Sequence, residues 1–270
     1  MQQPSWASVG VDLERPSVAR VYDYYLGGSH NFAVDRQVAR RAIELWPELP
    51  LIMQTNRAFL RRSVRYLVSQ GITQFLDIGS GIPTEGNVHE VAQVASPDAR
   101  VIYVDIDPVA VAHSRAILAG NERADVVQAD LRDVAAILGD PRTSRLIDAT
   151  QPLGVLMVFI LHFFPDEAEA ASIVAQYRKV MAPGSHLVLS HASHQGPPDE
   201  VRPLTEHYRR TTAPLTMRTR LELEELLGEF ELVAPGLVFL PLWRPDSPAD
   251  VGDHPERFGY AAVGRWDDSR

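Results

Sequence analysis

The sequence predicts an α/β fold: a Rossmann-like, mostly parallel sheet preceded by a helical N-terminal extension. Three observations carry this. The run Phe75-Leu76-Asp77-Ile78-Gly79-Ser80-Gly81 is an apolar strand ending in an acid and breaking into two glycines, which let the backbone approach a ligand where a Cβ would clash. Val101–Val104 and Val126–Ala129 are two more buried-strand runs, and each ends in an acid, Asp105 and Asp130. Between the strands lie segments with helical spacing, such as Val88, Val91, Ala92 and Ala95.

Taken in order, residues 1–16 are polar and contain proline, and helices are expected at about 17–26, 35–46 and 51–69. Ile52, Phe59, Leu60, Val64, Leu67 and Val68 form the apolar face of the third, which closes at Gly71. After the glycine turn, Asn87 and Glu90 have the spacing of a capping box. Asp107-Pro108 reads as N-cap and first residue of a helix over 108–118. Gly154–Leu161 is almost wholly apolar, as a parallel strand covered on both faces must be, and His162 follows at its carboxyl end. A helix near 166–181 stops at Pro183-Gly184, and a fifth strand over 187–189 ends at Ser190-His191. The proline-rich stretch 193–218 reads as a substrate-side insertion with a short helix near 199–210. Thr219 and Glu222 cap a last helix, and the runs 237–242 and 260–263 are strand-like.

The turn chemistry narrows the ligand. A dinucleotide site wants a third small residue where this chain has Thr84, and a P-loop needs a lysine, whereas the only lysine is Lys179. A nucleoside without phosphates fits better, and S-adenosylmethionine is the common one. Its amino-acid tail is expected over Gly79 and Gly81, its ribose on Asp105 and its adenine by Asp130 and Leu131, with Asp77, Ser80 and Ile106 also expected at the cofactor.

The segments "VYDYYLGGSHNFAVDR", "DIGSGIPTEGNVHEVAQ", "VIYVDIDP" and "GSHLVLSHAS" resemble the actinobacterial S-adenosyl methyltransferase family once filed as a domain of unknown function. The resemblance covers nearly the whole chain. It implies a class I methyltransferase fold, with an antiparallel last strand that the two C-terminal runs could supply. It implies S-adenosylmethionine as cofactor and leaves the substrate undefined. Residues 1–70 then form an extension or lid, and 71–270 the cofactor-binding domain. Tyr25 and Asn31, with Tyr22, Phe32 and the Gly27-Gly28 pair, are expected near the cofactor's tail or methyl group. The alternative is an ordinary helix–helix turn.

The composition sets limits. At 270 residues and 45% hydrophobic the chain can bury one substantial core. It has no cysteine, hence no disulfide or thiolate metal site, and its histidines are too scattered to suggest a metal centre. No apolar run approaches the ~20 residues that span a bilayer, and no signal peptide is visible, so a cytoplasmic protein is expected. Net charge is −9, with residues 1–70 at +3, nine arginines against six acids, and the remainder at −12. Nucleic acid is therefore disfavoured as a partner. Arg40, Arg41, Arg61, Arg62 and Arg65 read as solvated helix faces, the alternative being a site for a small anionic substrate.

A sulfonium methyl is already electrophilic, so the protein must mainly align an acceptor and exclude water, with a general base for a hydroxyl or ammonium. His162, His191 and Tyr25 are the candidate bases. There is no Asn/Asp-Pro-Pro-Tyr/Phe run after the fourth strand, which argues against the amino-methylating enzymes of nucleic acids. Oxygen or carbon of a small molecule is the expected target. Two other functions remain open: a non-catalytic module that binds S-adenosylmethionine or S-adenosylhomocysteine, and an NAD-dependent oxidoreductase.

Overall fold

Strand residues alternate between two cores, and that alternation builds the molecule. In the computed structural model, which describes residues 14–83, 86–195, 198–209 and 214–268, Phe75, Val101, Tyr103, Leu156 and Val188 face one side of a sheet. Leu76, Ile102, Val104, Val155, Met157 and Leu187 face the other. Both faces are covered, so the central strands carry almost no exposed residue.

The chain opens with three helices, α1 (Val18–Tyr25), α2 (Ala33–Leu45) and α3 (Leu49–Ser69). The alternating part follows as β1 (Gln74–Ile78), α4 (Val88–Ala95), β2 (Arg100–Asp105), α5 (Pro108–Ile117), β3 (Ala124–Gln128), α6 (Val134–Gly139), α7 (Pro141–Leu146) and β4 (Gly154–Val158). Then come α8 (Glu167–Arg178), β5 (His186–His191), α9 (Pro198–Arg209), α10 (Arg220–Leu226), β6 (Glu231–Leu232), β7 (Val238–Phe239) and β8 (Tyr260–Arg265). The sheet order is β3-β2-β1-β4-β5-β8-β6, with β7 also on β8. The pairs among β1 to β5 are parallel, and β8 runs antiparallel to β5, β6 and β7. This is the class I methyltransferase arrangement, with N-terminal helices added. The strand order reverses between β1 and β4, and open α/β sheets bind ligands in the crevice outside the carboxyl ends at such a point.

Several boundaries differ from the sequence reading. The fourth strand ends at Val158, and its expected last turn becomes a 3-10 turn over Leu161–Phe163. The cause is Phe159, whose φ of 52° cannot continue a strand. The run 237–242 is strand only at Val238–Phe239 before a second 3-10 turn. Thr84, the residue at the third-glycine position, lies outside the described residues. Arg62 is a correction: it is buried, not solvated, and donates from Nε to Trp243 O (2.9 Å) and from Nη2 to Leu240 O (2.9 Å).

α3 belongs to the layer covering the sheet, touching α4, β4 and β5, while α1 and α2 pack on one another and α9 packs on α2. The α1–α2 loop is internally satisfied. Asp23 Oδ2 accepts from His30 N (2.9 Å) and Asn31 Nδ2 (2.8 Å), and Asn31 Nδ2 also donates to Gly28 O (2.9 Å). A Cβ at Gly28 would lie 2.0 Å from Asp23 Oδ1, whereas Gly27 needs only its φ of +79°. Gly28→Ala is therefore expected to displace a buried carboxylate from its partners and cost about 2–3 kcal/mol. Thermal melts check this: Gly28→Ala should melt well below Gly27→Ala, and an unchanged Gly28→Ala would refute the packing account. No helix among the described residues is long and apolar enough to cross a membrane.

Candidate cofactor and active site

The crevice at the β1/β4 switch is a cavity of about 420 Å³. One wall is the glycine turn after β1. Gly79 and Gly81 sit at φ +69° and +68°, and a Cβ on Gly79 would lie 2.6 Å from Ile160 Cγ1. Only glycine takes this path at low cost. Gly81 N donates to Asp105 Oδ2 (2.7 Å), and Asp107 N donates to Asp105 Oδ1 (2.8 Å). The acid at the tip of β2 thus ties the two ligand loops together while lining the cavity. Asp107 in turn caps α5, accepting from Val109 N (2.7 Å), which fixes where that helix starts.

The cavity floor is acidic. Burial pushes Asp77 up to about 7, the Asp105 charge adds to this, and Arg57 opposes it. Burial likewise pushes Asp105 up to about 6 against the backbone N–H bonds from Asp107 and Gly81. Asp130, by contrast, is held below the usual carboxylate range by hydrogen bonds from Arg132, whose Nη2 approaches Oδ2 at 2.5 Å. Asp130, Leu131 and Arg132 line the same cavity, as does Ile106, an exposed apolar side chain (64%) beside the ribose position expected for Asp105.

Arg57 of α3 was missed by the sequence reading. It lines the cavity, its Nη2 donates to Asn87 Oδ1 at 3.4 Å, and its Nε is sealed from the cavity without a partner. Ser80 Oγ on the opposite loop is also buried without a partner. S-adenosylmethionine fits this lining: Arg57 for its carboxylate, Asp77 for its ammonium and sulfonium, and Asp105 for its ribose. No local pattern around Arg57 distinguishes it from the other α3 arginines. Only the fold turns it inward.

Asn56, one residue earlier, bridges the cavity to the sheet. Asn56 Nδ2 donates to Tyr22 OH (3.0 Å), and Ser190 Oγ donates to Asn56 Oδ1 (2.7 Å). Phe159 N donates to Ser190 O and Oγ (3.2 and 3.0 Å), which holds the left-handed Phe159 in place. A non-glycine residue there stores about 1–3 kcal/mol, which this network offsets.

The N-terminal candidates divide. Ser17, Val18, Ala19 and Tyr22 line the cofactor cavity. Tyr25 does not. It lines a neighbouring chamber and shares a hydrogen bond with Tyr208 OH (2.7 Å). Asn31 lines neither and is spent on Asp23 and Gly28. His162 stands in the neighbouring chamber, 4% exposed, with Nδ1 unpartnered. Burial, helped by His191 and Arg218, holds it well below the usual histidine range, so it is neutral. His191 is occupied: Arg218 Nη1 donates to its Nε2 (2.8 Å), so its Nδ1–H faces Ala192 O (2.8 Å). Arg218 also donates to Leu161 O (3.1 Å) and Phe164 O (2.8 Å), pinning the turn that carries His162.

Residues 4–267 match the family model described as S-adenosyl methyltransferase. A Thermobifida fusca protein of known structure, assigned as a candidate methyltransferase, is 42% identical over 97% of this chain and 99% of its own, with a TM-score of 0.91. A Streptomyces avermitilis protein of the DUF574 family is 38% identical over 94% of this chain and 99% of its own, with a TM-score of 0.90. A Burkholderia thailandensis O-methyltransferase family protein shares the fold alone, at 12% identity, 92% and 64% coverage and a TM-score of 0.55. No curated protein matches the chain. A family model matched over residues 4–267 and two solved structures 42% and 38% identical over nearly the whole chain lead to one conclusion: the chain belongs to the S-adenosyl methyltransferase family.

Proposed function

We propose that the protein binds S-adenosylmethionine in the cavity at the β1/β4 switch and methylates oxygen or carbon of a small molecule. One observation carries the reading: the buried carboxylates of Asp77 and Asp105 share a cavity with the Arg57 side chain. A cationic, zwitterionic nucleoside complements that arrangement. A pyrophosphate would bring further negative charge against Asp77 and Asp105, which weakens the NAD reading. When bound, S-adenosylmethionine supplies a methyl group already activated on sulfur. The chain's part is to hold it with Arg57, Asp77 and Asp105, to exclude water with Phe159, Phe163 and Phe164, and to present an acceptor. The net charge and the absence of the Asn/Asp-Pro-Pro-Tyr/Phe run support a small molecule over nucleic acid. Calorimetry with S-adenosylmethionine, S-adenosylhomocysteine and NAD tests the cofactor: tight NAD binding with none of the sulfonium ligand refutes it. Release of S-adenosylhomocysteine on incubation with a metabolite extract tests catalysis against a purely binding role.

The raised carboxylates set a pH dependence. In the empty protein Asp77 and Asp105 are protonated below about 7 and about 6 respectively, and a cationic ligand favours their ionised forms. Binding at pH 5.5 must therefore release protons, while binding at pH 8 need not. Affinity is expected to rise with pH across this window, by up to about tenfold per unit for each proton released, and to level off near 8. Calorimetry in buffers of different ionisation enthalpy reads the proton count. A flat affinity with no proton release would show that Asp77 does not meet the cation and Asp105 does not hold the ribose.

A further inference from the structure

The cofactor cavity does not end the crevice. A second, apolar chamber of about 80 Å³ abuts it, and Ser17, Val18, Tyr22, Phe159 and Phe163 line both. The strained Phe159 is therefore part of a wall with cofactor space on one side and this chamber on the other.

Its polar inventory is short. Tyr25 and Tyr208 satisfy one another, and Tyr22 OH is taken by Met53 O and Asn56. Ser193 Oγ accepts from Gln195 N (3.0 Å). The one charged residue lining it among those described is Arg257, already paired with Glu48, and no aspartate or glutamate lines it. That leaves the Ser17 hydroxyl, which makes no cap bond to α1 and sits at the mouth shared with the cofactor cavity, and His162, whose ring makes no hydrogen bond among the described residues. An ammonium would find no counter-ion here and a carboxylate would find Arg257 occupied, so burying either costs more than burying a neutral group. A single hydroxyl, however, would satisfy His162. The volume is about half of the roughly 150 Å³ that holds a benzene, so one small ring fits only with its edge in the shared mouth.

We propose that this chamber is the methyl-acceptor site and takes a small, uncharged, largely apolar molecule, of about one ring, through one hydroxyl hydrogen-bonded to His162. The assignment rests on the methyltransferase reading above and adds the substrate class to it. It separates this protein from enzymes that methylate amines or acids.

Phenol, benzoate and benzylamine, which share a ring and differ in charge, are suitable probes. They would be titrated by saturation-transfer NMR into the protein loaded with S-adenosylhomocysteine. Phenol is expected to bind at least tenfold more tightly than either ion. Met53→Trp and Leu215→Trp, two partly buried chamber residues outside the cofactor cavity, should each fill the space and abolish phenol binding. Their affinity for S-adenosylhomocysteine and their melting should remain near wild type. Equal or tighter binding of benzoate or benzylamine, no phenol binding to the wild type, or phenol binding that survives both folded variants would overturn the proposal. Failure to load S-adenosylhomocysteine, with phenol still binding selectively, would refute the methyltransferase reading and leave the chamber as a neutral-ligand site.

Discussion

Asp105→Ala is expected to weaken S-adenosylmethionine binding about a hundredfold. The carboxylate has two tasks. Its oxygens already accept from Gly81 N and Asp107 N, and their remaining lone pairs are the ones available to a ribose diol. Hydrogen bonds to a charged acceptor contribute about 1.5–3 kcal/mol each, and about 1.4 kcal/mol is tenfold in affinity. Alanine removes the ribose bonds and also unties the glycine turn that shapes the cavity. Asp105→Asn should fall between, near tenfold, because an amide presents one acceptor oxygen where two N–H groups point at two. Both variants should lose affinity for 5′-methylthioadenosine as much as for S-adenosylmethionine, since the two share the ribose. A folded Asp105→Ala protein with unchanged affinity would place the ribose elsewhere.

The elements that could be read from the chain are those whose cause is local. The glycine turn after β1, the Asp107-Pro108 start of α5 and the Thr219–Glu222 box each need only neighbouring residues, and each forms as expected. β6 could not be read, because a two-residue strand has no periodicity and exists only because β8 lies beside it. The end of β4 was misjudged for a related reason. Phe159 is apolar like the strand before it, and its left-handed turn is imposed by Ser190 and Asn56 from distant parts of the chain.

The site divides the same way. Asp77, Gly79, Gly81 and Asp105 stand on strand ends, so sequence order alone brings them to one cavity. Arg57 and Arg62 lie five residues apart on α3, and nothing local separates their fates. Arg62 is consumed by the carbonyls of Leu240 and Trp243, while Arg57 faces the cofactor space. Which one is structural depends on where the C-terminal 3-10 turn packs, about 180 residues away in the chain. The Tyr-Leu-Gly-Gly segment shows the converse. Its aromatics and glycines suggest a lid, and what the sequence does not show is that Asp23 and Asn31 use the loop's polar groups on one another. Of the motif residues expected near the cofactor, Tyr22 lines the cofactor cavity, with Ser17 and Val18 at the start of α1, and all three also line the neighbouring chamber.

Arg57→Met should cost S-adenosylmethionine roughly thirty- to several-hundredfold in affinity, the largest effect expected of any single side chain on α3. The variant keeps the apolar stem and removes the charge. A buried, charge-assisted pair with the ligand carboxylate would be lost, which corresponds to about 2–3.5 kcal/mol. The loss must be selective: 5′-methylthioadenosine has no amino-acid tail and should bind Arg57→Met as it binds the wild type. Arg57→Lys should recover part of the affinity, because an ammonium restores charge without the two-pronged geometry. Arg57 also favours the ionised form of Asp77, so its removal should move the pH at which binding levels off upward. A parallel loss of methylthioadenosine binding would mean that Arg57 supports the cavity wall instead of meeting the tail. Unchanged binding of both ligands would move the carboxylate to another donor, with Ser80 the next to test.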